Sequence, residues 1–199
     1  KKYIIAGYPW FKCRARDEFI SLPGVSLYAD NETLFHDIMK NALVAVNEFI
    51  SDKENTTNLV EIDSPDALLW FIYTIQQYAN KCGIDKAAEK YATVVFAIIS
   101  FIKKHKHPNL FCHDQGLLYT NGKQVPVSWM NAVENGEPIV PRTGYLVEIN
   151  ALWYNALKFA AELANVKGEE SQTDLYNYQA EMTARAFVSC FWNGSYLYD

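Results

Sequence analysis

The chain lacks three features that would each indicate a particular class of protein. No uncharged apolar run reaches the roughly 18 residues of a membrane span, and none near the start indicates a secretion signal. With 18 basic and 23 acidic residues the formal net charge is −5, which disfavours a nucleic-acid-binding surface. No CxxC pair occurs, so we expect four reduced thiols rather than disulfides, at Cys13, Cys82, Cys112 and Cys190. A cytoplasmic protein without a nucleic-acid or membrane partner is predicted.

Hydrophobic and aromatic residues are abundant. Half of the 199 residues are hydrophobic and 15% are aromatic, including thirteen tyrosines and five tryptophans. A chain of this length can bury a sizeable core as one large domain or as part of a bigger one. Because tyrosine and tryptophan combine an apolar ring with a polar group, a surplus of them is compatible with binding of hydroxyl-rich ligands such as carbohydrate.

Helical periodicity, caps and breakers divide the chain into six helical segments. Asp30-Asn31 and Ser64-Pro65 are good helix starts, and Gly83 suits a helix end. Short links between most segments favour antiparallel neighbours. The predicted helices span about 16–28, 30–52, 64–82, 85–105, 144–166 and 171–192.

The fourth segment is apolar on more than one face over residues 87–102, so other elements must cover it on two sides. Two concentric helical layers satisfy this better than a four-helix bundle. We therefore predict an all-α fold in which residues 1–199 form about half of an (α/α)6 toroid, as a single partial domain. The missing half would be its C-terminal partner, and the open apolar edge would be prone to self-association.

The long connection before the fifth helix also contains a turn signal. Asn121-Gly122 lies between apolar, β-favouring flanks, which predicts a small β-hairpin near residues 116–130. Connections of this length inside a compact domain are often functional.

Asp66 is the leading candidate for a catalytic acid. It lies at the start of a helix that continues with apolar residues, including Trp70. The helix N-terminus favours the charged carboxylate, whereas an apolar wall raises the pKa of a carboxyl group. The alternative is an ordinary acidic residue in a first helical turn, where such residues are common.

Five blocks of sequence occur in the order seen in the amylo-α-1,6-glucosidase domain of glycogen debranching enzymes, and the chain resembles that family. The resemblance implies an (α/α)6 toroid that hydrolyses α-1,6-linked glucose at branch stubs of glycogen or a related α-glucan, with inversion and without a cofactor. It implies that the domain continues past Asp199 and that its general base lies there, so this chain alone would be nearly inactive. The blocks are GYPWF at 7–11, RDEFISLPG at 16–24, DSPDALLW at 63–70, WM at 129–130 and PRTGYLVEINALWYNAL at 141–157.

The resemblance also implies roles for individual residues. Asp66 matches the general acid, and Arg16 with Asp17 matches a pair that grips the terminal glucose through its hydroxyl groups. A guanidinium fork and a carboxylate suit vicinal hydroxyls; a helix-start cap is the alternative for this pair. Further substrate contacts are expected from Trp10, Trp129, Arg142 and Glu148, with Tyr8 and Tyr145 as additional ring faces.

Two departures from the family pattern bear on activity. The family has Trp-Gly before its Arg-Asp pair, where this chain has Arg14-Ala15, and it has Asp where this chain has Asn131. These changes replace a ring by a cation and remove a carboxylate. A non-catalytic glucan-binding or structural toroid is therefore an alternative, and an unrelated helical scaffold with a purely structural aromatic core is a more distant one.

A short segment that contains histidine and cysteine raises the question of a metal. Structural zinc sites use tighter, paired ligand spacings, and histidines beside lysines at a helix end have an ordinary dipole explanation. No metal is therefore expected at His105, His107, Cys112 and His113.

Overall fold

The computed structural model describes residues 1–199 and is mostly helical, with six α-helices, as predicted. The helices are α1 (Ala15–Leu22), α2 (Glu32–Ile50), α3 (Ala67–Cys82), α4 (Ile84–Lys103), α5 (Val147–Val166) and α6 (Glu170–Phe191). The longest connection joins α4 to α5 and carries most of the small strands.

Two of the predicted helix boundaries have clear local causes. The interruption expected at Pro23-Gly24 is a π-helical turn, Pro23–Leu27, which extends α1. Proline has no N–H to donate into the preceding helix, so the regular hydrogen-bond ladder changes at this point. Asn31 caps α2 as expected, because its side-chain oxygen accepts the N–H of Leu34 at 3.0 Å.

The predicted cap of α3 is wrong by two residues. The helix begins at Ala67, so Asp66 and not Ser64 occupies the N-cap position. The Ser64 hydroxyl donates to Asp66 Oδ1 at 2.9 Å and accepts from Arg16 Nη2 at 2.7 Å. Since this hydroxyl is engaged by two side chains, it does not cap the helix.

The helices pack in two layers that alternate along the chain. We call α1, α3 and α5 the odd layer, because α1 contacts α3 and α3 contacts α5, and we call α2, α4 and α6 the even layer, in which α2 contacts α4. The two-faced helix α4 packs against α2, α3 and α5, which accounts for its apolar residues on several sides. Arg16 at the start of α1 contacts Asp66 at the start of α3, and Asn155 contacts Gln76 about nine residues into α5 and α3, so the three N-termini of the odd layer lie at the same end of the molecule.

Seven short strands lie in the segments that precede the odd-layer helices. Parallel pairing joins β1 (Cys13–Arg14) to β2 (Leu59–Val60), just before α1 and α3. A three-stranded sheet has the order β3-β4-β7, and a separate hairpin is formed by β5 and β6. These strands are β3 (Leu110–Cys112), β4 (Leu118–Thr120), β5 (Val133–Glu134), β6 (Glu137–Pro138) and β7 (Gly144–Tyr145).

The long connection contains hairpins, but Asn121-Gly122 does not form the turn of one. A side chain at Gly122 would bring its Cβ to 2.2 Å from the carbonyl oxygen of Arg142, so this glycine permits a close approach of two backbone segments. The Asn-Gly turn is Asn135-Gly136 instead. Both residues have positive φ, 51° and 87°, as a two-residue type I′ turn requires, and they connect β5 to β6.

A single hydrophobic core of 45 buried residues runs between the two layers. Phe19 and Phe71 meet edge to face at 5.2 Å and join α1 to α3. In the even layer, Phe49 and Phe101 join α2 to α4, and their rings lie 5.5 Å apart. The core therefore fixes the relative positions of the helix starts that carry the predicted site residues.

Candidate active site

Three predicted site residues come from the starts of the three odd-layer helices. Arg16 is at the start of α1, Asp66 is at the N-cap position of α3 without a capping side-chain hydrogen bond, and Glu148 is in the first turn of α5. Helix N-termini carry partial positive charge, so this end of the molecule favours carboxylates and polar ligands. The loops and strands described above surround it.

Arg16 and Asp66 form a buried, bidentate ion pair. Nε of Arg16 donates to Oδ2 of Asp66 at 2.5 Å, and Nη2 donates to Oδ1 at 2.8 Å. Their side chains are only 9% and 3% exposed. Burial acts to lower the pKa of Arg16, but the hydrogen bond and charge of Asp66 outweigh it and hold that pKa raised. The guanidinium therefore stays charged in this site.

Arg16 lines a cleft of about 330 Å³, and Asp66 is in contact with the cleft only through Arg16 and Ser64, which both line it. This volume is at the small end of the range of about 300–1,000 Å³ that is typical of small-molecule sites. Most of the lining is polar, and two segments far apart in sequence supply it together with the start of α1. The residues that we call the arginine cleft are Arg14, Arg16, Glu61, Asp63, Ser64 and Asn131.

Asp17 lies next to Arg16 in sequence but does not form an ion pair with it. Its side chain is exposed, and its backbone carbonyl accepts a hydrogen bond from Ser21 at 2.6 Å. The partner of Arg16 is Asp66 instead. Adjacent residues on a helix project in different directions, so the side chains of Arg16 and Asp17 have different neighbours.

Arg142 and Glu148 form a second charged cluster. Arg142 pairs with Glu148 and with Asp199, and its Nη1 also donates to Ser128 Oγ at 2.9 Å. The arginine is buried, whereas the Glu148 side chain keeps some access to solvent. The segment from Ser128 to Asn131 connects this cluster to the arginine cleft, so the two charged groups share one loop.

The predicted stacking residues differ in exposure. Trp10 is 81% exposed and Trp129 is 62% exposed, and Tyr8 is similarly open. Their ring faces are therefore available to a ligand. Tyr145 is half-buried, and its hydroxyl bonds to His113 Nδ1 at 2.6 Å and accepts from Gln115 at 2.7 Å. Its hydroxyl is therefore held in place by two other side chains.

Sequence reasoning missed two residues that organise this end of the molecule. Ser64 was predicted only as a helix cap, yet it bridges Arg16 and Asp66. Asn150 is fully buried and holds both backbone groups of Leu118 in β4 to the first turn of α5. A single asparagine within an apolar helical stripe was the available signal, because a buried amide requires partners.

The residues considered for a metal do not form a metal-binding group. His107 lies in the core against the rings of Phe49 and Phe101, and burial lowers its pKa to about 4. No group of three or more His, Cys, Asp or Glu side chains is arranged to hold an ion.

All four cysteines are free, and burial raises the pKa of Cys112. None of the helices has the length and hydropathy that a membrane span needs.

A comparison with models of protein families identifies the family of this chain. The family model described as amylo-alpha-1,6-glucosidase matches residues 1–199, which is the whole of this chain. A search of curated proteins gave no match. Because this match covers the whole chain, the chain belongs to the amylo-alpha-1,6-glucosidase family.

Proposed function

We propose that this chain is part of a glycoside hydrolase domain that removes single α-1,6-linked glucose residues from the branch stubs of glycogen or a related α-glucan. The observation that carries the proposal is the buried Arg16–Asp66 pair beside a polar cleft, at the end where three helix N-termini meet. The alternating helical layers would be half of an (α/α)6 toroid. The cleft would then lie at the mouth of its inner ring.

Hydroxyl recognition would come from the charged groups of the cleft. Arg16 supplies N–H donors, and Asp63 supplies carboxylate oxygens that accept from O–H groups. Exposed rings at Trp10 and Trp129 would stack on the apolar faces of sugar rings. Arg142 and Glu148 would add polar contacts, and Asp17 would contact the substrate from its exposed position.

Asp66 would be the proton donor. Both of its oxygens accept hydrogen bonds from Arg16, an arrangement that suits a carboxylate without a proton. A sugar hydroxyl that draws Arg16 away would leave Asp66 buried without its cation. A buried carboxyl group that loses its partner is better accommodated with a proton. Asp66 would take up this proton from solvent before the glycosidic bond breaks.

The reaction would be a single displacement. Asp66 gives its proton to the glycosidic oxygen as the bond from that oxygen to C1 of glucose breaks, and water attacks C1 from the opposite face. A second carboxylate, about 6.5–9.5 Å from the first, takes the proton of the attacking water. The family resemblance implies that this base belongs to the C-terminal part of the domain. Residues 1–199 alone would then bind saccharide but release little glucose.

Exposed apolar side chains on α6 are consistent with a domain that continues past Asp199. Leu175, Tyr178 and Val188 are each about half exposed or more. We propose that the C-terminal part of the domain covers this face. Residues 1–199 on their own would then self-associate through it, since apolar patches of this kind promote association.

The test is release of glucose from a singly branched α-glucan by a polypeptide that extends past Asp199, compared with its Asp66→Asn variant. The expected result is glucose release by the parent and a loss of about 10²–10⁴-fold in the variant, the usual contribution of general acid catalysis. Asp37→Asn is the matched control, because Asp37 forms an exposed ion pair with Lys2. Undiminished release by Asp66→Asn would remove Asp66 from the acid role.

A second candidate function is glucan binding without hydrolysis. The observation that favours it is Asn131, a neutral amide in the arginine cleft at a position where the family pattern has a carboxylate. Under this alternative, the extended polypeptide would bind the branched glucan and release no glucose. Asn131→Asp would then be the first substitution to examine for restored hydrolysis.

A further inference from the structure

We propose that Arg14 and Glu61 form a second sugar subsite in the arginine cleft, which binds hydroxyl groups of the ring next to the terminal glucose. This inference rests on the proposed function, because it assumes that Arg16 holds the terminal ring. The ligand class is a neutral saccharide of at least two rings.

Strand pairing brings Arg14 and Glu61 close together, and their side chains form an ion pair. Parallel pairing of β1 with β2 sets Arg14 opposite Val60, so Glu61 follows directly beside it. Nε of Arg14 lies 3.1 Å from Oε1 of Glu61. The guanidinium also lies over the ring of Phe11, 4.7 Å from its centroid. Arg14 is therefore held from two sides at the wall of the cleft.

Glu61, the acidic residue of this pair, has an unusual backbone conformation. Its φ is +59°, in the left-handed region that residues other than glycine rarely adopt. Such conformations persist where the surrounding structure requires them, and they are concentrated at functional sites. Here the conformation occurs at the residue directly after β2, whose side chain reaches Arg14.

The exposure of the side chains increases from the floor of the cleft to its mouth. The side chain of Arg16 is 9% exposed, whereas those of Arg14 and Glu61 are 27% and 39% exposed. A saccharide whose terminal ring contacts Arg16 would therefore have its next ring closer to solvent, beside Arg14 and Glu61. Asn131 lines the same cleft and adds an amide donor and acceptor.

The charges of the cleft favour an uncharged ligand. Its lining includes two arginines, Arg14 and Arg16, and two carboxylates, Glu61 and Asp63. Since Arg14 already has a carboxylate partner, no unpaired cation at the mouth is available for a phosphate or a sugar acid. A donor and an acceptor side by side match the alternating hydroxyl groups of a neutral sugar instead.

The two departures from the family pattern meet in this cleft. Arg14 replaces a tryptophan and Asn131 replaces an aspartate, and both line the same cavity although they are far apart in sequence. A polar pair in place of a ring would exchange stacking for hydrogen bonding at the second sugar. The change therefore concerns the recognition of the second ring rather than that of the terminal glucose.

Titration calorimetry with two probes tests this subsite. Isomaltose has two α-1,6-linked rings, and methyl α-D-glucoside has only one. Arg14→Gln and Glu61→Gln should each weaken isomaltose binding about 10- to 100-fold, as expected for loss of a hydrogen bond to a charged group. Binding of methyl α-D-glucoside should change by less than about twofold, since the floor of the cleft is unaltered. The matched control is Arg185→Gln, which breaks an exposed ion pair with Glu181 on α6.

The outcomes separate this inference from the proposed function. Equal weakening for both probes, or no weakening for isomaltose, would overturn the second subsite. Binding of neither probe by the parent would overturn both proposals. Selective weakening for isomaltose, combined with full glucose release by the extended Asp66→Asn variant, would support the subsite and reject the proposed acid. Unfolding midpoints of all variants show whether a lost interaction reflects a lost fold.

Discussion

Arg16 and Asp66 are fifty residues apart in sequence, yet they form a bidentate ion pair between the starts of α1 and α3. The pair is almost completely buried and is bridged by the hydroxyl of Ser64. It therefore joins two helices of the odd layer at the end of the molecule where the cleft opens. The same contact has a structural role and, in the proposed function, a chemical one.

The first prediction concerns the stability of this pair. Arg16→Met leaves the Asp66 carboxylate buried without its cation, which should lower the free energy of unfolding by about 3–5 kcal/mol. The double variant Arg16→Met/Asp66→Leu removes both charges and should lose much less. Urea denaturation of the two variants and the parent measures the difference. If the double variant were the less stable of the two, the pair would not be coupled as described.

The second prediction concerns Glu18, whose side chain is fully buried on α1. Burial raises its pKa to about 7, although the N–H of Ile4 donates to Oε2 at 2.8 Å and acts in the other direction. Between about pH 4.5 and 7 the unfolded chain has released this proton while the folded chain retains it. The free energy of unfolding should therefore fall as pH rises through that window, by about 3 kcal/mol.

His107 acts in the opposite direction over nearly the same range. Its pKa of about 4 in the fold means that, below about pH 6.5, the unfolded chain binds a proton that the folded chain does not. This contribution to stability rises with pH, so it offsets that of Glu18. The parent should vary little in stability between pH 4.5 and 6.5. Glu18→Gln should expose the His107 effect as a rise of about 2–3 kcal/mol from pH 4 to 6.5.

Chemical denaturation at several pH values measures these slopes. His107→Gln is the complementary variant, and its stability should decline as pH rises through 4.5–7 because Glu18 then acts alone. The slope with pH is the readout, since either substitution can also change packing. A free energy of unfolding that does not change with pH in either single variant would contradict the pKa shifts of Glu18 and His107.

The third prediction compares two glycines. Gly122→Ala should lose about 1–3 kcal/mol of stability, because its methyl group would meet the carbonyl of Arg142 and force the backbones apart. A methyl group at Gly24 would have no other atom within 4 Å, and this glycine lies in the helical turn after α1. Gly24→Ala should be neutral or stabilising by about 0.5–1 kcal/mol. Thermal denaturation of both variants shows whether a glycine is needed at position 122 because of the close approach of the Arg142 backbone or only because glycine is flexible.

The fourth prediction concerns Asn150, which accepts from the N–H of Leu118 and donates to its carbonyl. Asn150→Leu should leave these two backbone groups without partners, at a cost of about 1–3 kcal/mol for each. Asn165→Leu, at an exposed position on the same helix, is the control and should be nearly neutral. Faster amide exchange at Leu118 in the Asn150 variant, and normal exchange in the control, would show that this contact holds β4. Equal exchange in the two would contradict that role.

Sequence patterns predicted the helices well because their signals are local. Asn31 and the apolar stripe of α4 are readable within a few residues, and both have the expected roles. The Asn121-Gly122 turn was wrong because the approach of Arg142, a residue distant in sequence, decides the conformation there. Which Asn-Gly pair forms a hairpin turn therefore depends on tertiary contacts.

The site was only partly predictable for the same reason. The start of α3 and the Arg16-Asp17 motif could be recognised, but the partner of Arg16 could not, because pairing with Asp66 depends on how α1 packs on α3. The Arg14–Glu61 contact depends on the pairing of two strands of two residues each. Strands this short have no periodicity that a sequence could display.

The most direct test of Asp66 as proton donor uses a substrate whose leaving group needs no proton. The extended polypeptide and its Asp66→Asn variant would be compared on a singly branched α-glucan and on α-D-glucosyl fluoride. The variant should lose about 10²–10⁴-fold on the glucan and remain within about tenfold of the parent on the fluoride, because fluoride departs without protonation. Equal losses on both substrates, or no loss on the glucan, would contradict the account.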